Sequence, residues 1–450
     1  MQAPKLERHI GLLALTLYGV GDILGAGIYG LVGKAAGILG NGVWLAFIVG
    51  FSVALLSGLT YASLCSRYPR AAGSSYVVLK AFGSGFGAFV VGLTALFSGL
   101  TSMAAASRIF GNYFHGLGAW LPPEVGAVLF LTVIAAILWR GIRESIVANS
   151  ILTLCEVGGL LIVIGVGARF LGSVDYTNFV TIENPAGALS GPLLLSATVL
   201  VFYSFVGFED IINVGEEVKD PHRTLPRGLI FALLIASAIY FLVSLVAISV
   251  VPAAELASSS QPLVDVVARA APWFPRSIFS VISLLAVSNT ALLNFLMGSR
   301  LLYGLARLKV LPKFLDHVSA KRKTPTRAIL LVYGIALALC LTGEVSTLAR
   351  ATSLLLLLVF VTMNLSLLKI KFTERRGGGK NTGEAPAYFQ VPAIVPARGL
   401  MGCLVLLFFG KIEEWITAGI LLAVIVGLYA IMRPKGESIS RMVEDQDNNP

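Results

Sequence analysis

Tyr18-Gly19-Val20-Gly21-Asp22-Ile23-Leu24-Gly25-Ala26-Gly27-Ile28-Tyr29-Gly30 lies inside the first hydrophobic stretch of the chain, and its reading decides the fold. Glycine lowers helix propensity by about 1 kcal/mol relative to alanine, so Gly25–Gly27 is a candidate break in a helix. An unwound turn frees backbone N–H and C=O groups, which cannot face lipid and must face a ligand or a cavity. Taken alone, Gly21-x-x-x-Gly25 is equally the spacing of close helix packing. Gly19-x-Gly21 is a false match to a dinucleotide loop, because no strand precedes it.

A counterpart further along resolves the choice. Val201-Phe202-Tyr203-Ser204-Phe205-Val206-Gly207-Phe208-Glu209-Asp210 also places glycine and acids in the middle of an apolar stretch, 180 residues after Gly27. Five spans separate the starts of the two stretches, so the second begins on the opposite side of the membrane. A unit repeated after an odd number of crossings is inverted, and paired glycine-interrupted spans in inverted halves point to a carrier's binding site. The amide ends of the half-helices attract a carboxylate, and freed carbonyls attract an ammonium group or a metal ion. One site of this kind holds both ends of an α-amino acid.

The rest of the chain fits a bilayer. It has 450 residues, is 56% hydrophobic and 13% charged, and has a mean hydropathy of +0.84. Soluble domains carry about 25% charged residues, and about 20 apolar residues in a helix cross the hydrocarbon core. The pattern predicts an all-α membrane protein with twelve transmembrane helices at 10–38, 42–65, 86–113, 125–139, 145–168, 190–217, 226–251, 277–307, 327–342, 347–368, 396–410 and 415–432. With the N-terminus inside, the cytoplasmic side holds 27 of the 34 Lys and Arg residues. Arg169, Arg269, Arg276, Arg350 and Lys411 fall outside, and Lys34 and Arg108 lie within spans, snorkelling to the external interface. This positive-inside bias puts both termini in the cytoplasm. It also accounts for the net charge of +10 without nucleic acid.

The first span has no small-residue cleavage site and reads as a retained anchor. Cys65, Cys155, Cys340 and Cys403 fall in or at the ends of apolar spans, as small buried hydrophobes and not a disulfide framework. Arg375-Arg376-Gly377-Gly378-Gly379-Lys380 lacks the spacing of a phosphate loop and reads as a flexible basic connection. The polar tail 433–450 reads as disordered.

Several motifs together resemble the amino acid–polyamine–organocation superfamily of secondary transporters. They are Gly25-Ala26-Gly27-Ile28-Tyr29 in span one and Arg67-Tyr68-Pro69-Arg70-Ala71-Ala72-Gly73-Ser74-Ser75-Tyr76 after span two. Phe205-Val206-Gly207-Phe208-Glu209 and the exit Glu216–Arg227 follow in span six. Ser288-Asn289 and Arg300–Arg307, ahead of Leu311-Pro312, mark span eight. The resemblance implies a five-plus-five inverted repeat with broken helices 1 and 6. The first repeat is then 1–188, the second 189–370, and 371–432 holds the last two spans with the loop before them.

By the same resemblance, Ile23, Gly25, Ala26 and Gly27 contact the substrate carboxylate, and Phe202, Phe205 and Gly207 offer carbonyls or walls near its amino group. Tyr203 stands where a gating aromatic is common, an ordinary buried aromatic being the alternative. Ser288 is carried over as a coupling or gating position.

A charge at the bilayer centre costs about 3 kcal/mol, which makes Asp22, Glu156, Glu209 and Asp210 functional candidates. Glu209 matches an acidic position common in the family and either serves the gate or proton sensing, or caps the backbone of the second half-helix. Glu156 stands where proton-coupled relatives often have lysine, near the ion site of sodium-coupled ones. Two carboxylates close together in an apolar interior share a proton, so Asp22 and Glu156 are expected to form a proton-carrying pair. The alternatives are that they hold Na⁺ or bind a cationic substrate. Asp210 either faces a cationic side chain of the substrate or points to water.

The expected function is secondary active transport of an amino acid by alternating access, coupled to protons, in a plasma or inner cell membrane. A cationic amino acid or polyamine exchanger is the alternative. An ion channel would need a filter repeated by symmetry, and none is present. The scattered His9, His115, His222 and His317 accompany no metal or nucleophile constellation, so neither an enzyme, a bound metal nor a cofactor is expected. The segment from Phe114 to Glu124 lacks cysteine, so no disulfide-linked subunit is expected.

Overall fold

The computed structural model describes residues 10–69, 73–118, 120–140, 145–182, 184–307, 311–319, 324–376 and 389–432. Helices form where the chain is continuously apolar, because a helix satisfies its own backbone in a solvent that cannot. Among the described residues, nine helical stretches are long and apolar enough to cross a membrane. Leu12–Ile23, Thr326–Thr342 and Ile394–Phe408 are shorter apolar helices. No strand forms among the described residues, where a single parallel bridge joins Ile10 to Val218. The tail 433–450, the N-terminal residues 1–9 and Gly377–Lys380 lie outside the described residues.

In chain order the helices begin with α1 (Leu12–Ile23), α2 (Ala26–Leu39), α3 (Val43–Arg67), α4 (Gly73–Phe82), α5 (Gly85–Gly116), α6 (Pro123–Arg140), α7 (Ser145–Gly167) and α8 (Gly191–Phe202). They continue with α9 (Pro221–Val250), α10 (Ala253–Ser258), α11 (Pro262–Ala270), α12 (Arg276–Arg307), α13 (Thr326–Thr342), α14 (Val345–Arg376), α15 (Ile394–Phe408) and α16 (Ile412–Met432). The first expected span is thus two helices parted at Leu24-Gly25. After α8 comes a tight 3₁₀ turn, Tyr203–Phe205, and then a 3₁₀ stretch, Phe208–Glu217.

These discontinuous segments sit in the interior. α1 packs against α9 and α7, α2 against α8, and α12 lies along α5 and α7. The approach of α7 to α1 depends on Gly21, where any side chain would collide with Thr153. An aromatic cluster backs the second discontinuity: Phe205 packs edge-to-face on Phe47 and Tyr240, Phe202 edge-to-face on Phe360, and Phe208 tilted against Phe360. Main-chain bonds from Ile10 N to Glu217 O and from Lys219 N to Ile10 O tie the lead into α1 to the end of the 3₁₀ stretch.

Three cations carried by the helices have partners. Lys34 Nζ donates to Ala257 O at 3.0 Å, and Arg108 lies 3.7 Å from Glu124. Arg350, in α14, makes a 3.1 Å ion pair with Glu414 of α16, with the side chains 5% and 3% exposed, and donates to Ser196 O of α8. All four cysteines are free, and Cys65, Cys340 and Cys403 are buried.

Candidate functional site

The two discontinuities are built against each other. Gly207 has φ +126°, a conformation that side chains resist, and a Cβ there would lie 2.5 Å from Asp22 O. Gly27 faces Ser204 as closely, so each break supplies one wall of the other. Glycine is needed at both positions for the two segments to meet at backbone distance.

Freed backbone groups in such a place must find partners. The Tyr240 hydroxyl, from α9, lies 2.5 Å from Ile23 O and 2.8 Å from Ser204 O. Its single proton serves two carbonyls, one from each break, so one buried side chain ties both together. On the amide side, Ala26 N donates to Thr290 Oγ1 of α12 at 3.0 Å. Gly207 N donates to Glu209 Oε2 at 2.9 Å. Glu209 therefore caps its own break, one of the two roles the sequence left open.

Between the breaks lies a cavity of about 20 Å³, roughly the space of one water molecule. Of the expected residues, Ile23, Gly25, Ala26, Gly27, Tyr203, Gly207, Asp22 and Asp210 line it. Phe202 and Phe205 do not; they are fully buried in the aromatic cluster behind the wall. The 3₁₀ turn following α8 brings Tyr203 to the cavity instead. Its hydroxyl donates to Ser102 O and accepts from Ser102 Oγ on α5.

Ser102, Val206, Thr290 and Asn294 complete the lining and were not foreseen. Asn294 Nδ2 donates to Thr290 O at 2.9 Å and reaches Ser102 Oγ at 3.5 Å, joining α12 to α5 at the cavity. For Thr290 and Asn294 a signal existed: with Asn289 they are polar residues within an apolar span, which marks function in a membrane. Ser288, the expected residue of that run, points elsewhere. Its hydroxyl donates back to Leu284 O within α12.

The acids divide into two groups. Asp22 and Asp210 line the cavity. Glu156, fully buried in α7, lies behind the first break and does not line the cavity. Asn289 Nδ2 reaches Gly21 O and Thr153 Oγ1, each at 3.2 Å, and Glu156 Oε2 at 3.4 Å. Glu156 Oε1, Asn289 Oδ1 and Asp22 Oδ2 are buried without a hydrogen-bond donor. No direct hydrogen bond joins Asp22 to Glu156 among the described residues; Asn289 links Glu156 to Gly21, the residue before Asp22. Asp22 shares the cavity with Asp210, and Glu156 shares a polar nest with Asn289 and Thr153.

Comparison with known proteins places this arrangement in context. The profile of a family described as "Amino acid permease" matches residues 10–429. The branched-chain amino acid permease BcaP of Bacillus subtilis is 27% identical over 90% of this chain and 88% of its own length. An uncharacterized transporter of Mycobacterium tuberculosis is 30% identical over 95% of this chain and 92% of its own. The chloroplastic cationic amino acid transporter 9 of Arabidopsis thaliana is 29% identical over 70% of this chain and 58% of its own.

Proposed function

This chain belongs to the amino acid permease family, a family of membrane transporters and not of enzymes, and on that premise we propose that it carries an amino acid by alternating access, driven by protons. The observation that bears most weight is the meeting of two helix breaks around a cavity that offers amides, carbonyls and two carboxylates. In this reading the amide ends at Gly25–Gly27 hold the substrate carboxylate. Asp22 and the carbonyl oxygens near Ile23 and Gly207 hold its ammonium. Ser102, Tyr203, Val206 and Asn294 meet its side chain. A cavity of about 20 Å³ is too small for any amino acid, so the walls must part to admit one.

The same reading takes twelve helical segments as crossings. They are α1 with α2, α3, α5, α6, α7, α8 with the 3₁₀ segments after it, α9 and α12–α16, with both termini cytoplasmic. The ten-helix inverted repeat ends with α14, and the setting is a plasma or inner membrane.

Hydrogen-bond accounting supports a proton at Glu156. Glu156 Oε1 and Asn289 Oδ1 are acceptors without donors, and a protonated carboxyl supplies one. Asn289 also holds Gly21 O, so loss or gain of that proton is felt in the first break, next to Asp22. Proteoliposomes under an inward acid gradient should accumulate labelled amino acid with saturable, stereoselective kinetics. Glu156→Gln should abolish the response to the gradient while leaving exchange at equal pH. Unchanged gradient-driven uptake in that variant would remove Glu156 from the coupling. A second carboxylate at the cavity, Asp210, favours a cationic side chain as the second reading. Competition by arginine or putrescine against the uptake would select it.

A further inference from the structure

The amide end of α2 is already capped, and by a residue from far away in sequence. Gly25, the N-cap position, has no side chain with which to cap its own helix. Thr290 Oγ1 accepts from Ala26 N at 3.0 Å instead, across 264 residues. The hydroxyl is pressed so closely on the break that any side chain at Gly25 would collide with it. Thr290 also lines the cavity, beside Gly25, Ala26 and Gly27. It therefore occupies the amide that the reading above gives to the substrate carboxylate, on which this inference rests.

We propose that Thr290 is a built-in stand-in for the carboxylate. The substrate binds by exchanging places with the Thr290 hydroxyl on Ala26 N, and that exchange releases α12 from α2. Three consequences follow from the chemistry. A neutral hydroxyl caps the free amide when no stronger acceptor is at hand, so the break keeps its shape. A carboxylate displaces it because hydrogen bonds to an ionised acceptor are about twice as strong as neutral ones. An amine, alcohol or carboxamide lacks that advantage, so Thr290 selects for carboxylate-bearing ligands by competition. Release also reaches the coupling side. The next residue back, Asn289, holds Gly21 O and Glu156, and Asn294 holds the Thr290 carbonyl and Ser102. Thr290 is thus a positioning residue whose movement couples the cavity to the Glu156 nest along a single helix.

Thr290→Val keeps the branched shape and removes the hydroxyl; Thr290→Ser restores it. The probe is the amino acid that most stabilises the wild-type protein in nanodiscs, paired with the amine left when its carboxylate is removed. Thr290→Val should bind the amino acid about tenfold more tightly, since the competitor is gone, and bind the amine unchanged. Thr290→Ser should return the wild-type value. Amide hydrogen exchange in the peptide spanning Leu24–Gly30 should quicken in ligand-free Thr290→Val and slow again with the amino acid. Weaker amino acid binding in Thr290→Val would make Thr290 a direct substrate ligand and overturn the exchange. Equal changes for amino acid and amine would do so too, as would unaltered hydrogen exchange. If no amino acid stabilises the wild type, the transport reading itself fails and the exchange falls with it. The hydrogen-exchange result then reports on the cap alone.

Discussion

Tyr240→Phe tests the idea that one hydroxyl holds both breaks together. The variant keeps the ring, and with it the packing on Phe47 at 5.9 Å and Phe205 at 5.5 Å between centroids, so no cavity opens. It removes the hydroxyl oxygen that lies 2.5 Å from Ile23 O and 2.8 Å from Ser204 O. A hydroxyl has one proton, so at any moment one donated bond is lost, not two. The net worth of that bond is about 1 kcal/mol; Ile23 O keeps the Gly25 N–H, but Ser204 O loses its Tyr240 donor, and the desolvation penalty of that buried carbonyl brings the total to about 2 kcal/mol. The expected outcome is a loss of about 2 kcal/mol in reversible unfolding from mixed micelles, together with a several-fold rise in transport KM, because Ile23 lines the cavity. Tyr113→Phe is the control. Its hydroxyl donates to Tyr29 O at 2.8 Å, within α2 and away from the cavity. It should cost about 1 kcal/mol and leave KM alone. A loss below about 0.5 kcal/mol in Tyr240→Phe, or equal effects on KM in the two variants, would refute the shared tie.

Other substitutions probe different links in the same chain of argument. Gly207→Ala should abolish uptake even where protein reaches the membrane, since φ +126° is strained for alanine and its Cβ would sit 2.5 Å from Asp22 O. Surface expression set against uptake separates the two effects. Glu414→Ala leaves Arg350 buried without its ion-pair partner and should cost about 3–5 kcal/mol of stability, whereas Arg350→Met with Glu414→Leu should recover most of it. By contrast Glu374→Gln, which breaks an ion pair from Arg67 to a half-exposed carboxylate, should cost under about 1 kcal/mol in the same unfolding assay.

Much of the candidate site could be read from the chain because glycine in a hydrophobic run has few explanations. Gly25, Gly27 and Gly207 stand at the discontinuities, and the acids beside two of them, Asp22 and Asp210, line the cavity. Phe202 and Phe205 show the limit of that reading. They lie on the right segment, but a tight turn at 203–205 directs Tyr203 inward and leaves both phenylalanines in the cluster behind it. Ser288 shows the same limit by one residue: on a helix, neighbours point about 100° apart. Asn289 and Thr290 bond to the two halves of the first broken span, at Gly21 O and Ala26 N, while Ser288 bonds within its own helix.

The sequence by itself determined the all-helical membrane architecture and where two of its helices must open. Those properties follow from local composition, the apolar length needed to cross a bilayer and the weakness of glycine in a helix. Only the tertiary structure decided what closes the opened backbone. Tyr240 takes the carbonyls, Thr290 an amide, and Asn289 gathers Gly21 and Glu156 behind the break. These partners lie on α9 and α12, more than 200 residues from the first break. Hydrogen-bond geometry at that separation depends on how whole helices pack and rotate, which no local pattern specifies. That Asp22 lines the cavity while Glu156 sits in a nest with Asn289 and Thr153 was decided in the same way, by the packing of α7 and α12 on the first break.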